Sequence, residues 1–337
     1  MLPTNEPSPA NAQRQEPSEA LPQPPHGQPL RHLLGLEHLS AEQVTTILEL
    51  SAHMKAVNAR RIKKLPTLRG VTVLTFFVEN STRTRMSFEL AAKRLSADTM
   101  SFTASSSSLA KGETLIDTAR NLEAMSPDII IIRHSCAGAA ALLARTVDCG
   151  IVNAGDGSHE HPTQGLLDIF TLREHLGDLR GKKVAIVGDI AHSRVARSNI
   201  FGLQKLGADV HVAGPATMLP HAIEALGCTA WNRVEPAIEG ADAVMMLRIQ
   251  RERQGNDLIP SSHEYHRFFG LDEKRLRLAK SGALVMHPGP MNRGVEISPE
   301  VADGAQSVIL QQVENGVAVR MAVLYLVAAS RGLQPEG

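Results

Sequence analysis

Several short polar segments of this chain carry arginine, lysine, histidine or hydroxyl residues directly after apolar, strand-forming runs. The densest is Ser81-Thr82-Arg83-Thr84-Arg85, which follows the run 71–78 and opens a helical pattern through Phe88, Leu90 and Leu95. Free backbone N–H groups at a helix N-terminus attract anions. Hydroxyl and guanidinium donors on the same turn add to this, with charge-assisted bonds of about 1.5–3 kcal/mol each. Such a turn suits a phosphate group; the bland alternative is a capped helix with arginines facing solvent. It is not a P-loop, because the glycine frame and the Gly-Lys-Ser/Thr ending are absent.

Other segments repeat the arrangement. The serine run 105–108 leads through Lys111-Gly112 into a helix, which reads either as a flexible linker or as a loop presenting the Lys111 cation. Arg133 ends the isoleucine run 129–132, where a guanidinium needs either a core carboxylate or a place at a strand-end site. In Gly155-Asp156-Gly157-Ser158-His159-Glu160-His161-Pro162-Thr163-Gln164, the histidine pair with Asp156 and Glu160 has no convincing further ligand for a metal. A histidine that gives a hydrogen bond or proton to a carbonyl fits better. The turn after 184–187 lacks the second and third glycines of a dinucleotide fingerprint, which argues against a nicotinamide enzyme, and Arg194 there could hold a carboxylate. Arg248 and Gln250 alternate onto one face after the run 243–247. His287-Pro288-Gly289-Pro290 follows 283–286, and its proline frame stiffens backbone whose carbonyls are free to accept.

The elements that must position these groups form an alternating pattern. Ser40 and Gln43 make a capping box before the apolar series Val44, Ile47, Leu50, Met54 and Val57. Strand-like runs at 71–78, 99–102, 128–133 and 151–154 are interleaved with helical patterns, and a second set lies at 183–187, 209–213, 243–247 and 283–286. Short apolar strands separated by helices predict an α/β chain of two tandem domains, each a parallel sheet flanked by helices. The punctuation at 177–181 is the candidate hinge, and Gly316 interrupts the apolar spacing of the last helical stretch, about 307–329. Residues 1–29 hold eight of the 19 prolines and almost no large apolar residues, so they read as a Pro-rich flexible arm without the features of a signal peptide.

Composition bounds the function classes. The 337 residues balance 35 basic against 35 acidic side chains, which argues against a general nucleic-acid binder. Cys136, Cys149 and Cys228 are widely spaced, which points away from a disulfide framework and towards the cytoplasm. The longest apolar run, 321–329, is nine residues, against about 20 for a membrane span.

Taken together and in this order, Ser81 to Arg85, Lys111 to Thr114, Arg133-His134, His161 to Gln164, Arg194, Arg248 to Gln250 and His287 to Pro290 resemble the aspartate/ornithine carbamoyltransferase family, over about residues 30–333. The first and fourth motifs are shared across that family. The later ones resemble its aspartate branch: ornithine enzymes typically carry His-Cys-Leu-Pro where His287-Pro288-Gly289-Pro290 stands, and the Arg248/Gln250 pair suits a second carboxylate. The resemblance implies transfer of a carbamoyl group from carbamoyl phosphate to L-aspartate, an early step of pyrimidine synthesis, with no cofactor and no metal. It implies that Ser81, Thr82, Arg83, Thr84 and Arg133 hold phosphate, and that Thr84, Arg133 and His161 polarise the carbamoyl oxygen. Gln164 with the carbonyls of Pro288 and Gly289 would orient the carbamoyl nitrogen; Arg194 would take the α-carboxylate, and Arg248, placed by Gln250, the β-carboxylate. Ser107 and Lys111 would enter from a neighbouring subunit of a homotrimer, Lys111 to bind the aspartate. It further implies a carbamoyl-phosphate domain over 30–167, completed by a C-terminal helix at 312–334 returning to it, and an aspartate domain over 168–311. The arm could dock a dihydroorotase-like or regulatory chain. Relatives with His-Pro-Leu-Pro-Arg differ at Gly289 and Met291, where only a backbone role is retained, and Arg293 could substitute for the arginine. Ornithine as acceptor, or a catalytically silent scaffold, are the competing expectations.

Overall fold

The computed structural model describes residues 29–103, 112–249, 258 and 261–333. Two parallel sheets, each flanked by helices, make up the fold. The first contains β1 (Thr72–Phe77), β2 (Asp98–Thr103), β3 (Ile129–His134) and β4 (Gly150–Asp156), in the order β2-β1-β3-β4. The second contains β5 (Lys183–Val187), β6 (Asp209–Ala213), β7 (Thr229–Trp231), β8 (Ala243–Met246) and β9 (Leu284–Met286), in the order β7-β6-β5-β8-β9. The continuous apolar runs that predict strands covered on both faces do just that: Ile129 to Ile132 are all buried, paired on one side with Val73 to Phe76 and on the other with Gly150 to Asn153. β7 was not expected; it is three residues long and half-exposed, too short for alternation to mark it.

Helix α1 (Ala41–Asn58) starts on the predicted capping box: Ser40 Oγ accepts from the Gln43 N–H at 3.1 Å, and Gln43 Oε1 accepts from the Ser40 N–H at 2.9 Å. The first sheet is crossed over by α2 (Thr82–Arg94), α3 (Leu115–Glu123) and α4 (Ala139–Thr146); α5 (Pro162–Leu176) then leads to the second. There α6 (Arg194–Lys205) and α7 (Val234–Ile238) pack on the sheet, followed by the short helices α8 (Ser262–Phe269), α9 (Glu273–Leu276) and α10 (Pro299–Ala302).

The last helix, α11 (Ile309–Ala329), returns to the first half and packs against α1, α2 and α5. It passes through Gly316 unbroken, contrary to the interruption its sequence suggested. A Cβ at that position would sit 2.5 Å from Arg320 Nη1 and 3.1 Å from Leu167 Cδ2, so the glycine clears the space a buried arginine occupies. The predicted apolar stripe also differs at its start: Leu310 and Val313 are exposed, and continuous burial begins near Asn315.

This topology fixes where chemistry can occur. The carboxyl ends of β1, β3 and β4 face a cleft whose opposite wall is built from the segments after β5, β8 and β9. None of the described helices is long and apolar enough to cross a membrane. The three cysteines are free thiols, Cys136 exposed and the other two buried.

Candidate active site

Nine of the residues singled out from sequence line this cleft: Arg83, Thr84, Arg133, His161, Gln164, Arg194, Arg248, Pro288 and Gly289. Arg83 and Thr84 come from the first turn of α2, Arg133 from the end of β3, and His161 and Gln164 from the start of α5. Across from them stand Arg194 at the first turn of α6, Arg248 just past β8, and Pro288-Gly289 past β9. Ser81 lies one step back: it is the N-cap residue of α2, and its hydroxyl donates to Thr84 Oγ1 at 3.0 Å. Thr82 is on the exposed side of the same turn and is not part of the cleft wall. Ser107, Lys111 and Gln250 lie outside the described residues, as does all but the last residue of the Pro-rich arm.

The cleft concentrates guanidinium groups. Burial, and then the charge of Arg248, pulls the Arg83 guanidinium below its ordinary range, a mark of two cations meeting from opposite walls of the cleft. Arg133 is buried; Nη1 donates to the Ala154 carbonyl at 3.0 Å and Nη2 to Glu79 Oε1 at 2.8 Å. Arg194, also buried, grips the same carboxylate with two nitrogens, Nη2 to Oε1 at 2.7 Å and Nη1 to Oε2 at 3.0 Å. The two arginines crowd over Gly155, where φ is +115° and a Cβ would lie 2.9 Å from Arg194 Nε and 3.2 Å from Arg133 Nη1. Only glycine permits that approach.

Glu79 is thus a carboxylate that sequence reasoning missed. It sits two residues before Ser81 in the loop after β1 and joins Arg133 at the end of β3 to Arg194 at the start of α6. A lone acid amid a basic motif is a faint signal, and its partners are 54 and 115 residues away.

His161 is buried, with its backbone N–H fixed on Ser198 Oγ at 2.9 Å. Burial, with Arg133, Arg194 and Arg320 close by, holds its imidazole well below the usual histidine range. The ring is therefore neutral at physiological pH, a donor through one nitrogen and an acceptor through the other. Its Nδ1 has no partner among the described residues. The neighbouring acids that raised the question of a metal have other work. Glu160 accepts from the N–H groups of Leu36 and Glu37 and from the Ser198 hydroxyl, and Asp156 accepts from Gly138 N–H and Asn153 Nδ2.

The proline-framed segment is held from behind. His287 Nδ1 accepts the Gly289 N–H at 2.8 Å, and its Nε2–H therefore donates to Glu296 Oε1 at 3.1 Å. Gly289 lies against Arg83, its Cβ direction 3.5 Å from Arg83 Nη1, so this backbone borders the first turn of α2. Arg320 of α11 also lines the cleft; it is buried under Ser87, to which Nη1 donates at 2.9 Å, and stacks over Phe88. Burial and Arg133 lower its guanidinium to about 10, against the opposing pull of Asp168, yet it stays a cation at neutral pH. Together these groups can bind two anions side by side, polarise a carbonyl oxygen, and offer acceptors to an amide nitrogen.

Comparison with known proteins agrees along nearly the whole chain. Residues 31–174 match the sequence model of the aspartate/ornithine carbamoyltransferase carbamoyl-P binding domain, and residues 180–327 match that of the Asp/Orn binding domain. The aspartate carbamoyltransferase catalytic subunit of Syntrophotalea carbinolica is 60% identical over 304 residues, covering 90% of this chain and 97% of its own. That of Geobacter sulfurreducens is 60% identical over 88% of this chain and 96% of its own. The crystal structure of Trypanosoma cruzi aspartate transcarbamoylase in complex with carbamoyl phosphate and aspartate superposes with a TM-score of 0.82 at 28% identity, covering 91% of this chain and 99% of that one. Ornithine carbamoyltransferase from Pyrococcus furiosus gives 0.79 at 30% identity, over 90% and 99%. The chain belongs to the aspartate/ornithine carbamoyltransferase family.

Proposed function

We propose that this cleft transfers the carbamoyl group of carbamoyl phosphate to the amino group of L-aspartate, giving N-carbamoyl-L-aspartate and phosphate. The observation that carries this reading is the convergence of Arg83, Arg133, Arg194 and Arg248 with a neutral His161 between the two sheets. Relatives at 60% identity are named for this activity, and a structural neighbour binds both substrates.

In this reading, the α2 turn 81–84 holds the phosphate through the Arg83 and Thr84 side chains and the backbone N–H of Thr82, with Ser81 bracing Thr84 and Arg133 joining from β3. Thr84, Arg133 and His161 face the carbamoyl oxygen, which becomes an oxyanion when the neutral aspartate amine attacks the carbon. Gln164 and the carbonyls of Pro288 and Gly289 accept from the carbamoyl NH2. Arg194 takes the α-carboxylate of aspartate, and Arg248 the β-carboxylate. Arg194 then exchanges part of its hold on Glu79 for the substrate carboxylate, so the internal carboxylate keeps the arginines in register until the anion arrives. As the tetrahedral carbon collapses, its bond to the phosphate oxygen breaks, and the departing phosphate accepts the amine proton. Charge neutralisation and alignment of amine on carbonyl supply the rate enhancement without a covalent intermediate.

The same reading places Ser107 and Lys111 in the site of a neighbouring chain of a homotrimer, Gln250 beside Arg248, and the reaction in cytoplasmic pyrimidine synthesis. It assigns 30–167, completed by the C-terminal helix α11 in place of the expected 312–334, to the phosphate half, 168–311 to the aspartate half, and the arm 1–29 to docking of a dihydroorotase-like or regulatory chain. Purified protein given carbamoyl phosphate with aspartate or with ornithine, in separate reactions, tests the assignment. Carbamoyl-aspartate is the expected product; turnover with ornithine alone overturns it.

A further inference from the structure

One buried acid in this region has no part in the reaction described above. Asp168 lies on α5, one turn beyond Gln164, and is completely buried. A buried carboxylate is costly unless its oxygens are fully engaged. Here three side-chain amides engage them: Gln164 Nε2 at 2.9 Å and Gln312 Nε2 at 2.7 Å on Oδ1, and Asn199 Nδ2 at 2.8 Å on Oδ2. Burial pushes the carboxyl up to about 6, against the pull of these three amides and of Arg320. At neutral pH it is an anion, and an anion can only accept.

That restriction has a chemical consequence. A glutamine amide can turn either end towards a neighbour, but Asp168 leaves each one a single orientation. The Gln164 NH2 is held on Asp168, so its carbonyl oxygen is the end left for the cleft that the residue lines. Gln312, from α11, is oriented likewise, and its carbonyl oxygen accepts the His287 N–H at 3.0 Å. This fixes the backbone that begins Pro288-Gly289, the other stretch offering carbonyl acceptors to the cleft. Asn199 cannot readily turn, because its Nδ2 also donates to the Val195 carbonyl at 3.0 Å.

We infer that Asp168 is a positioning residue which sets the acyl-donor specificity of the site, by turning Gln164 and, through Gln312, the 287–289 segment so that the cleft presents acceptors to an acyl phosphate bearing NH2. The inference rests on the proposed carbamoyl transfer. Its distinguishing feature is that it concerns the nitrogen of the donor and not the phosphate. An acyl phosphate with a methyl group in place of NH2, such as acetyl phosphate, has nothing to give those acceptors and leaves them unpaired.

The test is calorimetric titration of the full chain with carbamoyl phosphate, acetyl phosphate and inorganic phosphate. It is run on the wild type, Asp168→Asn, Asp168→Leu and Gln312→Leu, with circular dichroism to establish folding. Asp168→Asn leaves one acceptor oxygen for three amide donors; Asp168→Leu leaves none; Gln312→Leu cuts only the arm to His287. The wild type should prefer carbamoyl over acetyl phosphate. Each folded variant should lose about tenfold of that preference, the scale of one or two hydrogen bonds, while inorganic phosphate affinity stays within about twofold. A purely structural role would weaken all three ligands alike, and that result overturns the inference, as does a preference retained in any folded variant. Failure of the wild type to bind carbamoyl phosphate would instead refute the proposed reaction itself.

Discussion

Replacing Glu79 with glutamine probes how the two halves of the cleft are held together. Among the described residues its carboxylate receives charge-assisted bonds from Arg133 at 2.8 Å and from Arg194 at 2.7 and 3.0 Å, while its own side chain is only 18% exposed. Hydrogen bonds to charged acceptors contribute about 1.5–3 kcal/mol each, neutral ones about 0.5–1.5. Glutamine keeps one acceptor oxygen and turns an NH2 group towards the remaining guanidinium nitrogen, so the substitution should cost about 3 kcal/mol. At about 2–4 °C per kcal/mol for units of this size, thermal unfolding of Glu79→Gln should begin about 6–12 °C lower. The same change removes the negative charge that Arg133 and Arg194 share, so inorganic phosphate should bind about tenfold more tightly and restore much of the lost stability. Phosphate at 100 times its dissociation constant stabilises by about 2.7 kcal/mol. Differential scanning calorimetry with and without phosphate reads both effects. An unchanged melting temperature, or weaker phosphate binding, would refute the role given to Glu79.

The other predictions concern single groups. Arg133→Ala should lower kcat at least about 100-fold in steady-state assays while circular dichroism stays native, the loss expected for one oxyanion donor. Arg248→Ala should raise KM for aspartate much more than that for carbamoyl phosphate. The depressed His161 keeps its proton off in the folded state, so its contribution to stability is present above 6.5 and is lost as pH falls, by about 1.4 kcal/mol per pH unit. Asp168, raised from 3.8 to about 6, acts in the opposite sense: its contribution is present below 3.8 and is lost as pH rises through about 6. Denaturant titrations of Asp168→Asn should therefore show a steeper loss of stability from pH 6 to 4 than the wild type. Gly316→Ala should fail to gain the roughly 1 kcal/mol of helix propensity expected of that exchange, because its methyl displaces Arg320; a raised melting temperature would contradict this.

What was legible in the sequence is what depends on neighbours along the chain. Strand-end position made Arg133 a candidate because an isoleucine run must be buried and its last residue must emerge somewhere. The Ser81 to Arg85 turn was legible because hydroxyls and guanidiniums share one helical turn with free N–H groups. Glu79, Asp168 and Arg320 were not, since each takes its meaning from partners more than 50 residues away or from a different helix. Gly316 misled for a related reason: propensity weighs a glycine by its backbone, whereas here the arginine one turn on needs the space. Leu310 and Val313 share helical spacing with the core residues but lie before the point where α1, α2 and α5 close over α11.

The most direct measurement is a competition in one vessel. Labelled carbamoyl phosphate is offered equal concentrations of aspartate and ornithine with the wild-type chain, and the carbamoylated products are separated and counted. On the proposed assignment of Arg194 and Arg248 to two carboxylates, carbamoyl-aspartate should form and carbamoyl-ornithine should not. Carbamoyl-ornithine as the main product, or phosphate release without either, would contradict the account.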